Sequence, residues 1–258
     1  MALGLIVLAG CGKARDWRQA PAAPAAPAPA TDAEVGYVRP PQLVSAESAA
    51  DGAVVLSGVA EPNSRVRLLT PDGAAYGGTV AASGAWSMST PVGGGIFGLS
   101  EDLGGRVVQA EGYIIALKGP GRPAALLRAG GGAEALGNAG VSLKIAAVDF
   151  DSGGGTVISG FAPAGASLRL GVDGAPAPGE AKADRSGRFF IGSPVVLKPG
   201  PHQIRVQSPT QAAEADIAIS PPGPISGQPY RTARQGGAWR VDWITPGGGV
   251  QTSLILDP

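Results

Sequence analysis

Beyond Pro40 the chain alternates short apolar runs with clusters of Gly, Pro, Asn, Asp and Ser, the pattern of strands joined by turns. Two of these segments resemble each other. One runs Val54-Val55-Leu56-Ser57-Gly58-Val59-Ala60-Glu61-Pro62-Asn63-Ser64-Arg65-Val66-Arg67-Leu68. The other runs Thr156-Val157-Ile158-Ser159-Gly160-Phe161-Ala162-Pro163-Ala164-Gly165-Ala166-Ser167-Leu168-Arg169-Leu170. Each is an apolar strand ending in Ser-Gly, a Pro-containing turn, then strict alternation. Because a strand has period two, Val66 and Leu68 face one side and Arg65 and Arg67 the other, and Leu168 and Leu170 oppose Arg169.

The turn markers repeat as well. Asp72-Gly73 is matched by Asp173-Gly174, a hairpin signal because Gly takes positive φ cheaply. Ser83-Gly84-Ala85-Trp86 is matched by Ser186-Gly187-Arg188-Phe189, a turn followed by a strand that opens on an aromatic. The copies are offset by 102 residues at the first Ser-Gly and 103 at the second, which argues for internal duplication. The pattern resembles the bacterial Ig-like modules of surface and periplasmic proteins. Their signature is Gly-x-Ala-x-Pro-Gly, an alternating strand, then Asp-x-x-Gly-x-Trp. The second copy carries Gly160, Ala162, Pro163, Gly165, Asp184, Gly187 and Phe189. The first carries Gly58, Ala60, Pro62, Gly84 and Trp86, with Asn63 in place of the turn Gly and Ala81 or Ala82 in place of the Asp. The resemblance covers about 160 residues and implies two antiparallel β-sandwiches in tandem, an all-β fold; it marks a fold, not an activity.

Two hairpins flank the modules. Arg106 to Lys118 and Arg122 to Arg128, joined by Gly119-Pro120-Gly121, close the first. At the C-terminus, Trp239 to Ile244 turns through Thr245-Pro246-Gly247-Gly248-Gly249 and returns as Val250 to Leu256, with Trp239, Val241 and Trp243 on one face. That face either packs on the second module or forms a partner-binding surface with Tyr230 and Arg240, since Trp and Tyr favour interfaces. The expected organisation is a first module over 41–129, a Gly/Ala linker over 130–139, a second module over 140–221 and a C-terminal hairpin over 222–258.

The N-terminus carries a different signal. The apolar run Ala2 to Gly10 has the length of a signal-peptide core and falls short of the ~20 residues that span a bilayer. Leu8-Ala9-Gly10-Cys11 resembles the bacterial lipobox. That resemblance implies a diacylglycerol on the Cys11 sulfur, cleavage between Gly10 and Cys11, and a cell-envelope address. With Gly12 next to the cysteine it implies the outer membrane, facing the periplasm. Such leaders carry Lys or Arg ahead of the apolar run and none precedes Cys11, so the true start is expected further upstream. Residues 20–31, Ala-Pro-Ala-Ala-Pro-Ala-Ala-Pro-Ala-Pro-Ala-Thr, favour polyproline II and would act as a spacer of ~35 Å. Residues 1–10 are thus expected to be leader and 11–40 linker.

Composition narrows the function. Lys plus Arg and Asp plus Glu number 20 each, so no net field draws nucleic acid. Gly 42 and Pro 24 suit a chain dense in turns, while 44% hydrophobic residues exclude wholesale disorder. The single cysteine permits no internal disulfide. One histidine, His202, in Pro-Gly-Pro-His-Gln, reads as an exposed turn residue with no nucleophile motif near it, and with the cysteine committed to lipid no zinc set remains. Asp149 and Asp151 before a glycine run could suggest calcium, but they lack the third ligand and distal Glu of a loop site. Glu101 and Asp102, flanked by Gly, are expected in a loop. No catalytic residue, metal or cofactor is expected. The leading expectation is a non-enzymatic envelope lipoprotein that binds protein or presents a surface. The alternatives are a peptidoglycan or polysaccharide binder, and an enzyme with a concealed carboxylate pair.

Overall fold

The structure, a computed structural model, describes residues 38–49, 51, 53–91, 93–117, 124–136 and 142–257. Gly10, Cys11 and the Ala/Pro spacer lie outside the described residues. Among the described residues every regular element is a strand, and every pairing is antiparallel. Arg39–Pro258 cluster as one unit.

The first module contains β1 (Gln42–Ser48), β2 (Val54–Val59), β3 (Arg65–Leu69), β4 (Ala75–Thr79), β5 (Ala85–Ser89), β6 (Gly94–Asp102) and β7 (Val107–Leu117), followed by β8 (Ala124–Leu127) and β9 (Glu134–Ala135). Sheet A is β1-β2-β5 and sheet B is β4-β3-β6-β7-β8-β9. The second contains β10 (Lys144–Asp151), β11 (Thr156–Phe161), β12 (Ser167–Val172), β13 (Ala175–Pro176), β14 (Ala181–Lys182), β15 (Arg188–Gly192), β16 (Gly200–Gln207) and β17 (Ala212–Ile219). The chain ends in β18 (Tyr230–Gln235), β19 (Ala238–Ile244) and β20 (Val250–Leu256). Sheet C is β15-β11-β10-β20-β19-β18, and sheet D is β13-β12-β16-β17 with β14 on β12. Each module is therefore a sandwich of three strands against four, the Ig-like plan, to which extra strands have been added.

The duplication extends to irregularities. β1–β2 and β10–β11 have the same pairing and the same register shift, between Leu43 and Ser45 and between Ile145 and Ala147. Opposite each shift stands the motif glycine. Gly58 pairs with Leu43 and Trp86, and Gly160 with Ile145 and Phe189. A Cβ on Gly58 would fall 1.9 Å from the Gln42 carbonyl oxygen and 2.6 Å from the Trp86 ring; on Gly160 it would fall 2.0 Å from that of Lys144 and 2.9 Å from Phe189. Ser-Gly and the later aromatic thus belong to one contact, in which the ring packs where no side chain fits. The turns diverge more. Asn63 (φ 64°) takes the left-handed conformation that Gly165 (φ 75°) supplies in the second copy, a conformation Asn tolerates better than most residues. Asp184 accepts from the backbone N–H of Ser186 (2.8 Å) and Arg188 (2.9 Å) and from the Ser186 hydroxyl (2.7 Å). Ala81 holds the same backbone position, its N–H donating to the Ala85 carbonyl as that of Asp184 does to Arg188, but without the carboxylate.

Three apolar cores follow. Sheets A and B enclose Leu56, Val66, Leu68, Trp86, Phe97, Leu99 and Ile114. Sheets C and D enclose Val148, Ile158, Leu168, Phe189, Ile204 and Val206. The third lies between the modules, where the outer face of sheet B meets that of sheet C through Ile96, Ile115, Leu117, Leu127, Ala147, Val241, Trp243 and Ile255. The four sheets stack A, B, C, D. The extra strands supply much of this joint. β8 and β9 extend sheet B, and β20, β19 and β18 extend sheet C along the free edge of β10. The C-terminal strands continue the sheet of the second module, and their apolar face covers the first. Residues 131–136, expected within a flexible linker, are instead held in the joint: Ala133 is fully buried and β9 pairs with β8.

The missing turn carboxylate gives a direct test. Ala81→Asp should restore the turn hydrogen bonds and raise stability by about 0.5–1 kcal/mol, read as an upward shift of the urea midpoint; an unchanged or lowered midpoint would show that the two turns are not equivalent.

Candidate functional site at the C-terminal strands and the joint

Strand alternation separates the side chains that the sequence groups on the hairpin. Trp243 is fully buried in the third core, with Tyr113 edge-on at 6.0 Å. Tyr230, opposite Trp243 in the β18–β19 pair, and Trp239 pack half-buried against the same core, and the Arg234 guanidinium lies 5.2 Å from the Trp239 ring centre. Arg240 points the other way. It donates to Asp242 Oδ1 (2.8 Å) and the Ser220 carbonyl (2.9 Å) and stands over Phe150. Asp242 is itself buried and also accepts from Arg231 Nε (2.6 Å) and Thr252 Oγ1 (2.6 Å). The four residues therefore do not form one outward surface. Trp243 offers no ring face for a partner or a sugar, and Arg240 fastens Ser220, at the end of β17, to sheet C.

The joint contains a polar cluster that sequence reading did not find. Asp149 faces it from β10, wholly buried. It accepts from Ala133 N–H (2.6 Å), Ser253 Oγ (2.5 Å) and Gln251 Nε2 (3.2 Å). Ser253 in turn accepts from Trp243 Nε1 (3.3 Å), and Ser159 Oγ donates to the Ala133 carbonyl (2.5 Å). Gln251 also accepts from Gly130 N–H (3.0 Å) and donates to the Arg128 carbonyl (3.2 Å). These bonds dock segment 128–133 onto sheet C, satisfying backbone groups that would otherwise be costly to bury. Beside them Glu134 joins Arg128 (2.8 Å) to Arg188 (3.1 Å), and Arg128 lies over Phe190 at 4.4 Å. Burial pushes the Asp149 carboxyl up to about 6, against the three donated hydrogen bonds and Arg128, which favour its charged form.

A sequence signal for the joint does exist. Ile114-Ile115-Ala116-Leu117 and Ile145-Ala146-Ala147-Val148 are continuous apolar runs, the mark of strands buried on both faces. Among the described residues such a joint is made once. Register places Gln203, Asp216 and Ala218 of sheet D where sheet B has Ile96, Ile115 and Leu117, and all three are exposed.

The remaining candidates lie apart from one another. His202 is on β16 and bridges a turn. Nδ1 meets Asp173 Oδ2 (2.8 Å) and Nε2 meets the Lys198 carbonyl (2.7 Å). Burial opposes its charge, but two acceptors on the two ring nitrogens outweigh this and hold its pKa above the ordinary value. Asp151 accepts from the N–H groups of Gly153 (2.8 Å) and Gly155 (3.1 Å), closing a turn. Glu101 and Asp102 end β6, a strand and not the loop expected. Glu101 is buried and accepts from Glu61 N–H (2.7 Å) and Ser64 Oγ (2.5 Å); Asp102 pairs with Arg67 (3.0 Å). Among the described residues no three His, Cys, Asp or Glu side chains converge as a metal site.

No protein-family model and no curated protein matches this sequence. Among solved structures, the chain is similar to a tetra-tandem repeat from the extending region of a large adhesion protein, at 12% identity and a TM-score of 0.26, covering 80% of this chain and 59% of that one. It is similar also to the BSP domain of a biofilm-associated protein (13% identity, TM-score 0.26, 72% of this chain and 30% of that one). A third is invasin, a bacterial integrin-binding protein (9% identity, TM-score 0.21, 84% of this chain and 54% of that one). The chain thus spans less than two thirds of the length of each.

The buried carboxyl makes the joint sensitive to pH. Its folded pKa lies above the ~3.9 of an unfolded Asp, so the folded state keeps the proton longer. Stability from this group is present below pH ~4, declines between about 4 and 6 by on the order of 3 kcal/mol, and is level above. Urea titrations of the wild type and of Asp149→Asn across pH 4–7 should differ by that slope; parallel curves would refute the assignment.

Proposed function

We propose that this protein is a non-enzymatic lipoprotein of the bacterial cell envelope, cleaved before Cys11, tethered by lipid on that cysteine and carried on its Ala/Pro spacer. Its two sandwiches act as a single rigid piece that presents a surface to a protein partner. The joint between the modules carries this reading. A chain of free beads would need no third core, whereas a presenting element gains from fixed orientation because less freedom is lost on binding. The side chains weighed for chemistry in the sequence support it too: Asp149, Glu101 and His202 are each engaged with partners that hold the fold.

Anchoring is tested by fractionation. The wild type should sit in the membrane fraction and carry palmitate label, Cys11→Ala should abolish that label, and globomycin should make a larger, still-labelled precursor accumulate in the membrane. A wild type that takes no palmitate label, or label that survives Cys11→Ala, would overturn the lipoprotein reading.

A further inference from the structure

The duplication relates two sheet faces with different surroundings. In sheet C, Asp149 pairs across strands with Val157, and Ser159 stands two residues further along β11. Together they hold an extended backbone. Asp149 accepts from Ala133 N–H, Ser159 donates to the Ala133 carbonyl, and Gly132 packs so closely that an added Cβ would lie 2.7 Å from Val157 Cγ1. The equivalent residues of sheet A are Glu47, Val55 and Ser57, in the same cross-strand register: Glu47 pairs with Val55 as Asp149 does with Val157. Acid, valine and serine are thus repeated at matching places, yet here they face outward. Glu47 is exposed, and Val55 and Ser57 are partly so. Ser57 Oγ bonds across to Ser87 Oγ (3.2 Å) on β5.

The rest of this face is unlike an ordinary solvated sheet. Glu47 is the one charged residue in β1, β2 and β5. Small side chains such as Ser87 and Ser89 leave it flat, and Val44 and Val59 at its margin are 52% and 41% exposed. At the opposite end of the stack, the outer face of sheet D is studded with Arg169, Arg205, Glu214 and Asp216, all exposed. An end sheet kept solely for solubility would carry charge in that way.

We propose that the outer face of sheet A, centred on Glu47, Val55 and Ser57, docks an extended Gly/Ala-type segment of a partner protein, held as sheet C holds Gly132 and Ala133. This rests on the reading of the chain as a presenting module and names the surface it presents. Glu47 accepts a backbone N–H of the partner, Ser57 turns from Ser87 to donate to its carbonyl, and Val55 seats a residue with little or no side chain. A bulky partner residue at that place is excluded by the contact that Gly132 makes on Val157.

The test titrates the full-length, ¹⁵N-labelled protein with a synthetic peptide of residues 129–136, Ala-Gly-Gly-Gly-Ala-Glu-Ala-Leu, and follows amide shifts. Saturable changes are expected at Glu47, Val55, Ser57 and their neighbours on β1 and β2. Glu47→Lys and Ser57→Lys should each abolish them while the indole resonances of Trp86 and Trp243 stay in place, confirming the fold. Absence of saturable shifts at millimolar peptide overturns the proposal. So do shifts centred on Asp149 and Ser159, or shifts that persist in both variants. Failure of anchoring at Cys11 would leave these shifts unaltered, and their absence would leave the fractionation result unaltered.

Discussion

The third apolar core is the constraint on which the rest depends. Without it, Ile115, Leu117 and Leu127 on one module and Val241, Trp243 and Ile255 on the other would face water, at ~1.5–3 kcal/mol for each large side chain. The added strands make sense in this light. β8 and β9 widen one contact face, and β20, β19 and β18 widen the other. The additions also serve the sandwiches, since Ala238 and Leu254 lie in the core of the second module and Ala124, Leu126 and Leu136 pack against that of the first, but their other face makes the joint.

Apolar sheet faces meet without a fixed register, because dispersion and desolvation are nearly indifferent to small slides. The polar cluster around Asp149 supplies direction. Its carboxylate has a donor from the connecting segment, one from Ser253 and one from Gln251, and displacement of any element would leave a buried acceptor short of its donors. The Arg128–Glu134–Arg188 set does the same at the margin, where partial exposure lowers the cost of the charges. Specific orientation thus comes from a few polar side chains set in a contact whose strength is apolar.

Much of the fold was legible in the sequence because its rules are local. Alternation placed Val66 and Leu68 inward and Arg65 and Arg67 outward, and Gly58 with Trp86 and Gly160 with Phe189 marked the repeat. The strand at Tyr230–Gln235 was missed, although Gly236-Gly237 before Ala238 is a two-residue hairpin turn. The joint was not legible in the same way. Alternation says that Trp239, Val241 and Trp243 share a face but not which module that face will meet, and the linker-like composition of Ala129 to Gly140 gives no sign that Ala133 lies buried against Asp149. The grouping of Arg240 with the tryptophans failed because an intervening strand residue points to the opposite side. Glu101 looked like a loop acid because its glycine neighbours were read as turn formers, while the pairing of Val66 with Glu101 puts it inside the sandwich.

The ends of the stack differ in a way that bears on function. Where the joint has Ile96, Ile115 and Leu117, sheet D has the exposed Gln203, Asp216 and Ala218, so its outer face does not repeat the apolar face of the joint. The most direct test of the central claim is ¹⁵N relaxation of the intact protein. One rotational correlation time should describe amides of β2–β7 and of β11–β17 together, as for a single rigid body. Two distinct and shorter times, one for each module, would contradict a fused joint and return the chain to independent beads on a linker.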